Sequence, residues 1–249
     1  MENKMGTMPM KKLLATMSLP IMLSMLIQAC YNIVDSMFVA RYSQEALAAV
    51  SLAFPIQMLI IAVSVGTAVG VNSLLSRRLG EGRMEEVNKA AQHGILLALI
   101  SAAVFAVFGL SAARAFANLF TTSADIASQA ALYIGIVTVF CFGVFVQIVM
   151  ERIMQATGNA VYNMVMQGIG ALVNIILDPI LIFGFFGFPA MGILGAAIAT
   201  VSGQILAMVL GAWIIHKQIP FIHLGVKGFS FSWDICRQIY SVGFPAIIM

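Results

Sequence analysis

Long apolar runs separated by short polar stretches set the pattern of this chain. They cover about residues 13–40, 47–75, 90–112, 126–150, 164–183 and 192–215. Each reaches or exceeds the ~20 apolar residues that cross a hydrocarbon core. Backbone groups in lipid must be satisfied within their own segment, so the pattern predicts six transmembrane helices. The two-residue alternation of a membrane barrel strand is absent. The breaks between runs are also informative. Ser76-Arg77-Arg78 ends the second run and a charged loop follows through Glu86; Thr121-Thr122-Ser123 separates the third from the fourth. A polar stretch, 151–163, precedes the fifth run, with Glu151 and Arg152 read as a helix end in preference to a gate.

After the sixth run the pattern changes. Residues 216–238 are polar and contain Trp233, as suits a segment lying at the membrane surface. Residues 239–249 are apolar again, but eleven residues make only about 16 Å of helix, too short to cross a bilayer. The expected division is a six-helix lobe over 1–215, a cytoplasmic linker over 216–238 and the start of a seventh helix over 239–249. On this pattern the chain is a fragment, or a partner completes it. Ser18-Leu19-Pro20-Ile21-Met22 is echoed 225 residues later by Gly243-Phe244-Pro245-Ala246-Ile247, about one six-helix unit away. Such repeated halves are a feature of transporters.

Composition excludes a water-soluble class. Hydrophobic residues make up 61% and charged residues 9%, against about 25% charged in soluble domains; the mean hydropathy is +1.00. The net charge of +3 signals topology rather than nucleic acid. Eleven of the thirteen basic residues fall on one set of loops, with Arg41 and Arg114 on the other. By the positive-inside rule the N-terminus and the 216–238 segment are cytoplasmic. Lys4, Lys11 and Lys12 precede an apolar run too long for a signal peptide, and no small-x-small cleavage site follows. Cys30, Cys141 and Cys236 lie on different segments, which predicts free thiols. His93, His216 and His223 fall near cytoplasmic ends, where solvation is expected.

Two acids interrupt the oil. Asp35 is the sole ionisable acid or base in 13–40, and Asp178 the sole one in 153–215. A charge at mid-bilayer costs at least ~2.5–3.5 kcal/mol, which marks a functional position. Both acids lie six residues before an outer helix end, so they sit level, roughly 9 Å deep, on helices running the same way. Asn174 shares a face with Asp178, and Gln28 and Asn32 share one with Asp35. Pro179 frees the carbonyl of Ile175. Thr200 adds a hydroxyl at compatible depth, and Tyr133 a phenol. Oxygen ligands without Cys or His suit a hard cation rather than a transition metal. Gly66 and Gly70 form a GxxxG, read as a close-packing face. No phosphate-cradling loop, nucleophile elbow or metal-ligand spacing occurs, so no enzyme and no cofactor are expected.

These residues carry a resemblance. The stretch from Tyr31 through Asp35 to Val39, followed by Glu45-Ala46-Leu47-Ala48-Ala49-Val50 and Phe54-Pro55-Ile56, resembles the first two helices of the MATE (multidrug and toxic compound extrusion) family. Asn174-Ile175-Ile176-Leu177-Asp178-Pro179 is similar to the family's fifth helix, and Gly195-Ala196-Ala197-Ile198-Ala199-Thr200 to its sixth. The likeness spans the whole chain and is closest to the MepA-like branch. It implies an all-α integral membrane fold, the N-terminal lobe of a transporter with two six-helix lobes, whose C-terminal lobe is missing here. It also implies a multi-pass protein of the bacterial inner membrane that exports small, mostly cationic organic drugs in exchange for Na+ or H+. The family's cation-site positions carry over to Asp35, Asn174, Asp178, Thr200 and Tyr133; Gln28 and Asn32 fall where the substrate cavity is expected. Two rival readings are a lipid-linked oligosaccharide flippase of the same superfamily, which calls for a more cationic interior, and a half-size assembly subunit without transport.

Overall fold

The structure is a computed structural model, and it describes residues 9–225 and 229–248. Lys4, Lys227 and Met249, used above to read topology and the last apolar run, lie outside the described residues. Eight α-helices run through the described residues: α1 (Met10–Tyr42), α2 (Gln44–Gly80), α3 (Met84–Phe120), α4 (Ala124–Val139), α5 (Phe142–Ala156), α6 (Ala160–Phe183), α7 (Ile193–Gln218) and α8 (Trp233–Ile248). A short 3-10 turn, Phe185–Gly187, follows α6. Five of the helices are long and apolar enough to cross a membrane, and α4 with α5 makes a sixth, broken span. The protein is a multi-pass membrane protein.

Polar residues close the turns as their chemistry dictates. Ser43 alone separates α1 from α2, and its hydroxyl accepts from the Ala46 N–H at 2.9 Å. Gly184 ends α6 in the left-handed region at φ 79°, where a Cβ would be strained. The following loop then donates from Met191 and Gly192 back to the carbonyls of Leu181 and Ile182. The α2–α3 turn carries a charge cluster in which Glu81 pairs with Arg77, Arg78 and Arg83, and Glu86 with Arg78 and Arg83. These guanidiniums hold the Glu81 carboxyl down at about 2.

The fourth apolar run is not one straight helix. It bends by 46° between α4 and α5, at Phe140 and Cys141. No proline lies there; Thr138 does, its hydroxyl donating back to the carbonyls of Ile134 and Gly135. Such back-bonding competes with the helix ladder and bends it. Gly109 of α3 makes room for that hydroxyl, for a Cβ there would overlap it. The polar stretch after the bend is also more helical than its composition suggests. Glu151 and Arg152 lie inside α5, which runs to Ala156, and only 157–159 turn.

Helix α3 begins six residues earlier and ends eight later than the apolar run, so Arg114 lies on a helix rather than in a loop. The expected linker is partly helical too: residues 216–218 continue α7, and 233–238 open α8. Between them, residues 221–225 and 229–232 are strapped onto α3. Asn88 bonds the Phe221 carbonyl and the His223 N–H, and Gln92 donates to the Gly225 carbonyl. His93 is fully buried, not solvated: its Nε2 accepts from the Ser232 N–H at 2.9 Å, Nδ1 faces the Lys89 carbonyl, and Phe229 and Phe231 flank its ring. His216 and His223 are exposed.

Close packing at glycines sets the helix neighbours. Helix α1 lies mainly on α6, α6 on α7, and α8 on α2. Gly66 and Gly70 form the α2 face that receives α8, as the GxxxG reading expects, with Gly243 opposite Gly66. A Cβ on Gly70 would collide with the backbone oxygen of Ile239, whereas one on Gly80 would meet nothing within 4 Å. Gly70→Ala should therefore loosen α8 and open the adjoining strap residues 229–232 to proteolysis, with Gly80→Ala as the silent control. Equal protease resistance of the two variants would contradict this packing.

Candidate functional site

The two acids converge from α1 and α6. The inward face of α1 is Tyr31, Asp35 and Phe38, spaced four and three residues apart, and it lies on α6. Asp178 is fully buried on α6, and the Asp35 and Asp178 carboxyls come within hydrogen-bonding reach of each other. Each keeps one buried oxygen, Oδ1, without a partner among the described residues. Two carboxylates cannot both stay ionised side by side in oil without a positive charge between them.

Polar groups complete a ring around the pair. The Asn174 amide satisfies both its neighbours when its nitrogen faces the acid: Nδ2 then donates to Asp178 Oδ2 at 2.9 Å, and Oδ1 accepts from the Thr200 N–H at 3.1 Å. The Thr200 hydroxyl meets the phenols of Tyr31 and Tyr133. Gln57 on α2 donates to the Tyr133 hydroxyl at 3.1 Å. Helices α1, α2, α4, α6 and α7 thus each contribute to one cluster. Tight α6–α7 packing makes this reach short, because a Cβ on Gly203 would lie 2.8 Å from the Gly170 oxygen and 3.3 Å from the Asn174 Cβ.

The structure brings together five of the seven residues singled out above: Asp35, Asn174, Asp178, Thr200 and Tyr133. It does not bring in Gln28 and Asn32, which are exposed on the flank of α1 beside the inward face. Spacings of four and three residues from Asp35 fit two neighbouring faces, and Tyr31, not Asn32, lies on the one that meets α6. Sequence reasoning misses Tyr31 and Gln57 as cluster members. Tyr31 is one turn before Asp35, and Gln57 is an amide in an apolar run two residues after Pro55; both are legible signals. Among the described residues no three His, Cys, Asp or Glu side chains gather. The donor set is two carboxylates, hydroxyls and amides, suited to a proton or one hard monovalent cation.

Known proteins share this architecture. A Thermotoga maritima protein named "Probable multidrug resistance protein NorM" is 27% identical over 241 residues, covering 96% of this chain and 51% of its own. The "FAD transporter" of Shewanella oneidensis is 25% identical over 97% of this chain and 53% of its own. "Multidrug export protein MepA" of Staphylococcus haemolyticus is 25% identical over 93% and 51%. The chain therefore spans about half the length of the curated relatives it matches. Among solved structures, a MOP superfamily transporter from Pyrococcus furiosus superposes with a TM-score of 0.88 at 29% identity, over 96% of this chain and 52% of that one. The outward-facing conformation of a multidrug resistance MATE family transporter superposes at 0.85 with 29% identity, over 96% and 52%. The MatE family profile matches residues 20–180, a stretch that holds both acids, Asn174 and Tyr133, and the chain belongs to that family.

Proposed function

We propose that this chain is the N-terminal, cation-binding lobe of a secondary active multidrug exporter, an antiporter driven by Na+ or H+. The observation that carries the reading is the meeting of Asp35 with Asp178 in a buried ring of hydroxyl and amide groups. A cation on the pair neutralises two charges that oil penalises, and its departure leaves them repelling. Loading and unloading thus change how α1 sits on α6, and α1 is held by little else, with only lesser contacts to α2 and α7. An ion gradient acting on that contact can drive alternation between inward and outward states.

The relatives named for multidrug resistance and export support drug-like cargo. Cationic cargo fits the acidic centre, where among the described residues no Lys or Arg bears on either acid. The same feature weighs against an anionic cargo of the kind named for the Shewanella relative, and against a lipid-oligosaccharide flippase. The exposure of Gln28 and Asn32 beside the acid on α1 supports contact with cargo rather than with the cation. A second lobe of similar size supplies the other wall of the cavity. The arginines of the α2–α3 turn support a cytoplasmic side for that end of the bundle, and with it for the N-terminus, in a bacterial inner membrane.

Asp35→Asn and Asp178→Asn in the full-length protein should each abolish drug resistance at unchanged expression, and normal resistance in either would remove ion coupling from the account. For topology, a single cysteine at Glu85 should be shielded from impermeant thiol reagents in intact cells while one at Thr122 is labelled. The reverse labelling would turn the lobe over.

A further inference from the structure

A third buried acid lies apart from the pair. Glu151 on α5 is 6% exposed, and among the described residues its carboxylate makes no ion pair. Its partners are two amides: Gln147 Nε2 donates to Oε1 at 3.0 Å, and Gln167 Nε2 reaches Oε1 at 3.2 Å and Oε2 at 3.4 Å. The oxygens of those same amides, Gln147 Oε1 and Gln167 Oε1, are buried without a partner among the described residues. So is Oδ1 of Asn163, 1% exposed and one turn from Gln167 on the same face of α6. Arg152 is the charged group that bears on Glu151, and it is turned to Gln155, its Nη1 donating there at 2.8 Å. No Lys, Arg, His, Asp or Glu of α2, α3, α6 or α7 among the described residues acts on it; α2 contributes Asn72, which bonds the Arg152 carbonyl.

A carboxyl ringed by rotatable amides can exist in two charge states. Ionised, it accepts the two N–H donors now in place; protonated, it needs one amide to turn so that an orphaned oxygen accepts its O–H. A sodium ion demands more, because every amide around it must present oxygen instead of nitrogen. The proton is the better fit.

Position connects this site to the acid pair. On α6, Asn163, Gln167, Gly170, Asn174 and Asp178 fall within about 80° of one another at 3.6 residues per turn, a single inward stripe. Gln167 and Asp178 are separated by about 16 Å along it. Gln204, one turn from Thr200 on α7, also has a buried Oε1 without a partner among the described residues, and its backbone carbonyl carbon lies 3.5 Å from where a Cβ of Gly143 would be. Gly143, Gln147 and Glu151 follow one another at four-residue spacing down α5. Amides therefore line the interior from the acid pair to Glu151, near the end of the bundle that holds the α2–α3 turn.

We propose that Glu151, with Gln147 and Gln167, forms a second proton-holding site of this lobe, the station between the Asp35–Asp178 pair and the aqueous phase at that end. The proton adds to a Glu151 carboxylate oxygen and leaves from it to water, with no other bond changed. The role as a station rests on the cation-coupled reading above, whereas proton binding at Glu151 does not.

The test is pH-difference infrared spectroscopy on the full chain in lipid, with glutamate labelled by carbon-13. A carboxylic-acid C=O band should shift with the label, disappear in Glu151→Gln, and persist in the Asp35→Asn/Asp178→Asn double variant. It should be indifferent to replacing potassium by sodium. In Glu151→Asp, which conserves the charge and the fold, the band should lose its sensitivity to the label. A labelled band retained in Glu151→Gln or in Glu151→Asp overturns the site. Loss in the double variant makes Glu151 an extension of the pair, and displacement by sodium makes it a sodium site; either result overturns the proposal. Export failing or surviving in the Asp35 variant bears on the coupling reading alone.

Discussion

Two carboxyl groups held against each other inside a membrane are the constraint around which the lobe is organised. An isolated ion there is costly, and a second of like sign raises the cost again. Such an arrangement persists only if the surrounding helices hold it and if something positive can occupy it. The ring of Asn174, Thr200, Tyr31, Tyr133 and Gln57 does the holding, with polar contacts that draw on α1, α2, α4, α6 and α7. That leaves an oxygen on each acid unpartnered among the described residues.

The rest of the bundle makes that contact adjustable. Helices α6 and α7 are locked together at Gly170 and Gly203, and α2 takes α8 at Gly66 and Gly70. Among the described residues helix α1 has no glycine-to-glycine lock of this kind. It rests on α6 along one face and leaves most of its surface exposed, with 11% of its apolar window buried. A charge change at Asp35 and Asp178 is felt directly at the α1–α6 contact. On the proposed reading, the asymmetry between a fixed frame and one loosely held helix is what would turn ion binding into movement.

Much of this is readable from residues alone, for identifiable reasons. Runs without charge announce membrane helices because lipid tolerates nothing else, and the level of the two acids follows from helical rise and shared direction. Helix ends are harder. Met84 to Lys89 is charged yet helical, since charge is no obstacle where α3 projects beyond the oil. The bend at Phe140 follows the back-bonding of Thr138 to its own turn, which Gly109 of another helix leaves room for, and the local sequence shows the threonine but not that partner. His93 and Glu151 stand near the ends of apolar runs, where solvent is expected; the strap after α7 covers the first, and the continuation of α5 encloses the second. The spacing that puts Gln28 and Asn32 on the acid's face fits two adjacent faces equally, and only the packing of α1 on α6 separates them.

The claim that Asp35 and Asp178 together hold a single exchangeable cation is open to direct counting. Purified protein can be titrated with sodium at fixed pH while released protons and bound sodium are both recorded. The account predicts that the Asp35→Asn/Asp178→Asn double variant exchanges one monovalent cation fewer per chain than the parent. An unchanged count would contradict it.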